Sequence, residues 1–115
     1  MTLMRELFIL HSEICKTLAN PKRLEILNAL QDGEVSVSEL VRKLRLPKAN
    51  VSQHLAVLRS RGVVNARRER LSVYYRVANP KIIQACKLMR EVLTEQLERG
   101  VRLTRKWNRA RRLPV

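Results

Sequence analysis

Residues 36–62 read SVSELVRKLRLPKANVSQHLAVLRSRG, and this segment contains the signals for two closely spaced helices. Ser36 and Glu39 have the spacing of a capping box, which predicts a short helix beginning at this serine. Pro47 starts a further segment whose apolar residues lie on one helical face. Those apolar residues are Val51, Leu55 and Leu58. We therefore predict two helices that are joined only by the brief turn in front of Pro47.

Two more helices are predicted upstream of this pair. Apolar residues at steps of three and four predict a first helix with one apolar row, formed by Leu3, Leu7, Leu10, Ile14 and Leu18. A second row lies beside it and consists of Met4, Phe8, His11 and Cys15. Asn20 and Pro21 combine a capping residue with a proline at the first helical position, which predicts a second helix that stops near Gly33.

Downstream of Gly62 the pattern changes from helical to extended. Residues 63–68 and 71–77 are rich in valine and tyrosine and predict a hairpin with a polar tip at Glu69 and Arg70. Pro80 then opens a long last helix, whose apolar row is Ile82, Cys86, Met89, Leu93 and Leu97. The predicted fold class is mainly α with a small β-hairpin, in the order α-α-α-α-β-β-α.

Length and charge restrict the function. The chain has 115 residues and a formal net charge of +14, which indicates one small and strongly basic domain over residues 1–100. A basic, flexible tail is predicted over residues 101–115. Six arginines against one glutamate lie in residues 59–76, and seven basic residues without an acid lie in residues 99–115. Such concentrated charge favours a polyanionic partner, and double-stranded DNA fits it best.

Several other classes of protein are disfavoured. No apolar run approaches the roughly 18 residues that a membrane span needs, so no membrane partner is expected. The amino terminus is too acidic and interrupted for a secretory signal, and we expect a cytoplasmic protein with free thiols. No glycine-rich phosphate loop, nucleophile elbow or paired carboxylates stand out, so we do not expect an enzyme.

The third and fourth predicted helices have the arrangement of a helix-turn-helix, with the hairpin as a wing. The outward side of the fourth helix is small and polar, and consists of Ala49, Ser52, Gln53 and Ala56. Short side chains allow close approach to a DNA groove, where Gln53 can bond adenine and Ser52 a base or a phosphate. Lys48, near the helix start, is placed for backbone or guanine.

Several motifs in this order resemble the ArsR/SmtB family of winged-helix repressors. The resemblance covers about residues 11–97 and rests on LANPKRLEIL at 18–27, VSEL at 37–40, VSQHLAVLR at 51–59, GVV at 62–64 and VYYRV at 73–77. It implies a homodimer built on the first and last helices, which binds an operator and is released by an inducer. The DNA contacts that it implies are Lys48, Ala49, Ser52, Gln53, Arg67, Arg68 and Arg70.

The apolar rows support a homodimer independently of that resemblance. A chain of 115 residues cannot cover both the double row on the first helix and the long row on the last one, so a second copy is the economical partner. A different protein that docks on the same rows is the alternative. A twofold dimer sets its recognition helices about 34 Å apart, which predicts a palindromic operator.

The inducer is the part on which this chain departs from the family. Ser36 and Ser38 stand where metal-sensing members have a Cys-x-Cys pair, and the last helix has no histidine for a zinc site. Cys15 and Cys86 are candidates for a thiol or sulfur switch, and together with His11 they are weaker candidates for a soft metal or metalloid. The simpler alternative is that both are ordinary buried cysteines, which behave as small apolar residues, and that His11 lies at the edge of an interface.

A constitutive DNA-coating protein without an inducer is the alternative function. The segment from Arg99 to Arg112, which contains Trp107, can bind phosphates without reading sequence. Discrimination between an operator and random DNA separates the two functions, because a specific regulator prefers its site by roughly three to seven powers of ten.

Overall fold

The computed structural model describes residues 2–100, so the predicted tail over residues 101–115 lies outside the described part. Its elements are α1 (Leu3–Leu18), α2 (Pro21–Ala29), β1 (Val35–Ser36), α3 (Val37–Leu44), α4 (Lys48–Ser60), β2 (Val64–Glu69), β3 (Ser72–Val77) and α5 (Pro80–Arg99). The chain divides into two compact units, of which the first ends at Ile83 and the second begins at Gln84. The boundary falls within α5.

Side chains cap four of the helices at their first turns, and at α5 the side chain of Asn79 accepts from Lys81 N–H at 3.0 Å. Asn20 Oδ1 accepts from the backbone N–H of Lys22 at 2.9 Å and of Arg23 at 3.2 Å, and Ser36 Oγ accepts from Glu39 N–H at 3.2 Å. Thr2 caps α1 in the same way. Each such cap satisfies backbone donors that have no partner inside the helix. The caps expected at Asn20 and Ser36 are therefore confirmed.

The start of α4 differs from its prediction. Pro47 occupies the N-cap position rather than a helical one, and it makes no side-chain capping bond. Its carbonyl accepts from Asn50 N–H at 3.0 Å and from Val51 N–H at 3.1 Å, which closes the first turn. Proline has no side-chain oxygen, so the first N–H groups of α4 receive no side-chain cap.

The core of the first unit is formed by α2, α3, α4 and the strands that follow. Its buried apolar residues are Ile26, Leu27, Leu30, Val35, Leu40, Val51, Leu55, Leu58, Val63 and Val64. The three residues predicted for the inner face of α4 are all fully buried. Removing one of the leucines costs about 2–5 kcal/mol, so this small core fixes how α4 sits on α3.

The sheet has three strands rather than the predicted two, in the order β1-β3-β2, all antiparallel. Val35 pairs with Tyr75 and Ser36 with Tyr74, so β1 lies against β3. Ser36 therefore serves as a strand residue and as the N-cap of α3. This double role ties the wing to the first helix of the helix-turn-helix.

The tip of the hairpin lies one residue later than predicted. Glu69 and Ser72 pair, which leaves Arg70 and Leu71 as the two-residue turn. Arg70 has φ 56°, a left-handed value that allows so short a connection. Leu71 is 103% exposed, so this apolar residue belongs to the turn and not to the strand for which its hydrophobicity argued.

The apolar rows of α1 and α5 are exposed in the single chain. On α1 they include Leu3, Met4, Leu7, Phe8, Ile9 and Leu10, and on α5 they include Leu88, Met89, Val92, Leu93 and Leu97. No residue of α5 is fully buried: Ile82 and Cys86 of the predicted row are half-buried, whereas Met89, Leu93 and Leu97 are exposed within one chain. Within the part of the chain that the structure describes, no helix combines the length and the hydropathy needed to cross a membrane.

Candidate nucleic-acid interface

The outward row of α4 is a continuous exposed surface. Its members are Lys48, Ala49, Ser52, Gln53 and Ala56, and each of them is exposed. Their neighbours on the opposite side are fully buried, so the rotation of α4 about its axis is fixed by the core. A helix held in this way can present short side chains to a groove without first being ordered.

Arg23 connects α4 to the end of α1. Its Nε donates to Nδ1 of His54 at 3.3 Å, and another of its guanidinium nitrogens donates to the carbonyl oxygen of Thr17 at 3.1 Å. His54 is half-buried and follows Gln53 directly in α4. These bonds give His54 a positioning role behind the exposed row. Arg23 and His54 are 31 residues apart in sequence, so no local sequence pattern predicts this contact.

A second link joins the same two helices. Arg61, just after α4, lies 3.7 Å from a carboxylate oxygen of Glu13 in α1. Both side chains are about half exposed, so this ion pair adds little stability by itself. With the Arg23 bonds it nevertheless gives α1 polar connections to both α4 and the residue that follows it. Polar contacts thus join α1 both to the helix that carries the outward row and to Arg61.

Arg67 is held by two carboxylates. It donates twice to Glu34, with bonds of 3.1 and 2.6 Å, and once to Glu69 at 2.7 Å. Its guanidinium carbon also lies 4.9 Å from the ring centre of Tyr74. These hydrogen bonds, first to Glu34 and then to Glu69, raise the pKa of Arg67 above its ordinary value. The predicted DNA contact by Arg67 thus requires it to leave partners that it already has.

The same contacts act on Glu34. The hydrogen bonds from Arg67 are the main cause that lowers the pKa of its carboxyl from the ordinary value of 4.5, and the charges of Arg67 and Arg76 lower it further. Glu34 is therefore ionised at neutral pH. It partly neutralises the wing face that bears these two arginines.

The three wing arginines do not share one surface. Side chains alternate along a strand, so Arg67 lies on the face of β2 that carries Asn65 and Glu69, whereas Arg68 lies on the opposite face. Arg68 and Arg70 are exposed, and none of the ion pairs among residues 2–100 involves either of them. With Arg76 on β3, which is also exposed and in none of these ion pairs, they are wing cations that can bind a ligand without breaking an existing pair.

The cysteines are free thiols. Cys15 is exposed on α1, and Cys86 is half-buried on α5. Within residues 2–100, no three or more His, Cys, Asp or Glu side chains are grouped so that they could hold a metal ion. A soft-metal set made of His11, Cys15 and Cys86 thus gains no support from the geometry of the described chain.

Helix α4 buries one face in the core and exposes the other, and the hairpin of β2 and β3 follows it. This arrangement defines a winged helix-turn-helix regulator. Residues 20–66 match the model of the bacterial regulatory protein arsR family. The chain belongs to the ArsR family, and the interpretation as a transcriptional regulator rather than an enzyme is confirmed.

Relatives with different names share this family. PagR of Bacillus anthracis, named a transcriptional repressor, is 37% identical over 82 residues, which are 70% of this chain and 82% of PagR. HlyU of Vibrio cholerae, named a transcriptional activator, is 44% identical over 69 residues, which are 60% of this chain but only 64% of HlyU. The solved structure described as reduced HlyU from Vibrio cholerae superposes with a TM-score of 0.70 at 36% identity, covering 77% of this chain and 94% of that one.

A third relative is described as a dimer. The solution structure of Mb0332 from Mycobacterium bovis is described as a homodimeric winged helix-turn-helix DNA-binding domain. It matches this chain with a TM-score of 0.75 at 33% identity, and the match covers 84% of this chain and 89% of that one. The fold predicted from the sequence is therefore confirmed, with β1 as an additional strand.

Proposed function

We propose that this chain is a homodimeric repressor that binds a palindromic DNA operator through α4 and the wing. The observation that carries this proposal is the exposed row of α4, in which Ser52 and Gln53 stand over three fully buried residues. PagR is named a repressor and HlyU an activator, so the family alone does not give the direction of control. A protein bound at a promoter blocks RNA polymerase simply by occupying its site, so repression needs no contact surface besides the one that binds DNA. We therefore propose repression.

The dimer part of the proposal rests on the open surfaces of α1 and α5. Eleven large apolar residues of these two helices are exposed. Monomeric proteins rarely expose large apolar patches, so these surfaces are expected to be covered by a partner. A second copy covers the same surfaces on both partners, as an isologous twofold contact requires. Mb0332, which has the same fold, is described as homodimeric.

The roles of the contact residues follow from chemistry and placement. Gln53 carries an amide that can bond the N6 and N7 atoms of adenine in the major groove. Ser52 and Lys48 lie on the same row and are suited to phosphate or base, while Ala49 permits close approach. Arg68 and Arg70 extend the contact to the wing, and Arg67 joins them only after release from Glu34 and Glu69.

The test is a fluorescence-anisotropy titration of the protein on its own upstream DNA and on a scrambled duplex at fixed salt. We expect preference for the upstream DNA, and Gln53→Ala should lose about 1–3 kcal/mol on that duplex while binding the scrambled one as before. Gln31→Ala removes an exposed glutamine outside α4 and serves as the matched control. Equal binding of wild type to both duplexes, at every upstream region tried, contradicts the operator and favours the DNA-coating alternative.

For the inducer we propose thiol oxidation rather than a soft metal. Cys15 is exposed and both cysteines are free, whereas the described residues offer no three-ligand metal group. With a peroxide as oxidant, two thiols give two electrons and two protons, one S–S bond forms and the peroxide is reduced to water. A bond between Cys15 on α1 and Cys86 on α5, within one chain or between two copies, acts on the proposed dimer surface.

Peroxide should therefore abolish the preference of the wild type for its operator, and a thiol reductant should restore it. Cys15→Ser and Cys86→Ser should each keep the preference in the presence of peroxide. If the wild type keeps its preference after its thiols are shown by mass spectrometry to be oxidised, the thiol switch is wrong. Release by a soft metal ion without oxidant would instead support the metal alternative.

A further inference from the structure

Arg45 has an unusual backbone conformation for an arginine. It follows the last residue of α3 and has φ 53° and ψ 42°, in the left-handed region. Its N–H donates to the carbonyl oxygen of Val41 at 2.9 Å, which closes α3 with a left-handed cap. Glycine is the residue that usually occupies such a position, because a Cβ atom is crowded there. An arginine at this point is strained where glycine is not.

Only one other non-glycine residue among residues 2–100 has a positive φ, and it is also an arginine. This residue is Arg70, at the tip of the wing. One strained arginine therefore lies in the turn of the helix-turn-helix and the other in the turn of the wing. Strained backbone conformations cluster at functional sites. Both turns lie in the elements that form the proposed DNA-binding surface.

The charges around Arg45 leave it without an internal partner. The sequence contains no acidic residue between Glu39 and Glu69, and none of the ion pairs among residues 2–100 involves Arg45. Arg61 and Arg67, by contrast, pair with Glu13 and with Glu34 and Glu69. The side chain of Arg45 is exposed, so its charge is directed to solvent or to a ligand from outside.

The turn that carries Arg45 is itself anchored. Leu46 is half-buried, and Lys48 begins α4 two residues later. Arg45 is thus held a short distance in sequence before the exposed row of α4, on backbone that the left-handed cap and the core fix. From this backbone position beside a groove-binding helix, the exposed guanidinium can reach a phosphate of the DNA strand that borders the groove.

We propose that Arg45 is a DNA-backbone contact, binding a phosphate beside the half-site that α4 reads. This inference rests on the proposed DNA-binding function and adds to it a residue that the family motifs did not single out. The contact is electrostatic and independent of base sequence. Its loss should therefore weaken operator and scrambled DNA alike.

The test measures affinity against salt concentration for three substitutions on both duplexes. Each phosphate contact contributes about 0.9 to the slope of log K against log salt, so Arg45→Gly should reduce that slope by about 1.8 for a dimer and weaken binding about tenfold at 0.1 M salt. The same variant should raise the thermal midpoint by about 2–6 °C, because glycine relieves the left-handed strain. Arg45→Asn should reduce the slope of log K against log salt about as much as Arg45→Gly does, since asparagine tolerates this conformation but has no charge.

Arg45→Lys is the conservative variant, which keeps the charge and the strain and should retain the slope and the affinity. Lys16→Gln removes an exposed charge from α1 and controls for the loss of net charge. An Arg45→Gly protein with a higher midpoint and an unchanged slope would show a merely structural arginine and overturn the inference. The slope on scrambled DNA is measurable even without an operator, whereas failure of the proposed function appears separately as equal binding of wild type and Gln53→Ala to both duplexes.

Discussion

At the scale of single residues, the contacts that position α4 are the ones that the sequence could not reveal. Inner and outer faces of α4 followed from the helical period of its apolar residues, so Ser52 and Gln53 were correctly placed on the exposed side. The bond between Arg23 and His54 joins residues far apart in the chain. No local pattern distinguishes such an arginine from a solvated one, so its role became visible only with the fold.

The His54 contact makes a prediction about stability. His54→Ala removes the acceptor of a part-buried, charged hydrogen bond and should lower the free energy of unfolding by about 1–2 kcal/mol in urea denaturation. His54→Asn places an oxygen near the lost Nδ1 and should recover part of that loss. Asn50→Ala, at an exposed position of the same helix, is the control for changes in helix propensity. Equal unfolding free energies for His54→Ala and wild type would contradict the role given to Arg23.

At the scale of elements, the helices were predicted well and the sheet less well. Capping residues and prolines gave the starts of α2, α3 and α5 to within a residue or two, because these signals are local. β1 has only two residues, which are too few to show an alternating pattern. It is a strand because Val35 pairs with Tyr75 of β3, a contact between distant parts of the chain. The tip of the wing shifted because Arg70 adopts a left-handed conformation that its residue type does not favour.

The neutralised face of the wing leads to a second prediction. Glu34→Gln removes a negative charge and loosens the hold on Arg67, so the variant should bind DNA more tightly than wild type, by about twofold to tenfold at 0.1 M salt. Anisotropy on the scrambled duplex measures this directly. Glu25→Gln, which disturbs an exposed ion pair within α2, controls for net charge. Weaker or unchanged binding by Glu34→Gln would indicate that Arg67 does not reach DNA.

The same pair has a defined pH dependence. Because the pKa of Glu34 is lowered in the folded protein, its ion pair stabilises the fold above the unfolded value near 4.5 and is lost as pH falls through the folded value. Glu34→Gln should therefore have a slightly lower thermal midpoint than wild type at pH 7, and the two midpoints should converge below the folded pKa. Following the Glu34 carboxyl carbon by NMR gives that pKa, and a value at or above 4.5 would contradict the contact.

At the scale of the whole molecule, the open apolar rows and the positive charge belong to one design. The rows of α1 and α5 are the surfaces that a second copy can cover, whereas the stretch without acids, residues 40–68, contains most of α3 and all of α4. In the proposed function, assembly and DNA binding therefore use different surfaces of the same small chain. The polar links from Arg23 and Arg61 to α1 connect these two surfaces.

The dimer proposal is tested by charging the row on α5. Leu93→Glu places a carboxylate on an apolar contact and should shift sedimentation from dimer to monomer, and operator affinity should fall about a hundredfold as the second half-site is lost. Thr94→Glu introduces the same group at the next residue, outside the apolar row, and should remain dimeric. A monomeric wild type at micromolar concentration, or a dimeric Leu93→Glu, would contradict the proposed surface.

The exposed rows of α1 and α5 have one more consequence. A fold that is completed by its own second copy gains stability by mass action, so its melting temperature rises with protein concentration. When few molecules are present, the uncovered helices are open to proteolysis, and synthesis must outpace that loss before any operator is occupied. The amount of the protein in the cell thus acts as a threshold for its own persistence.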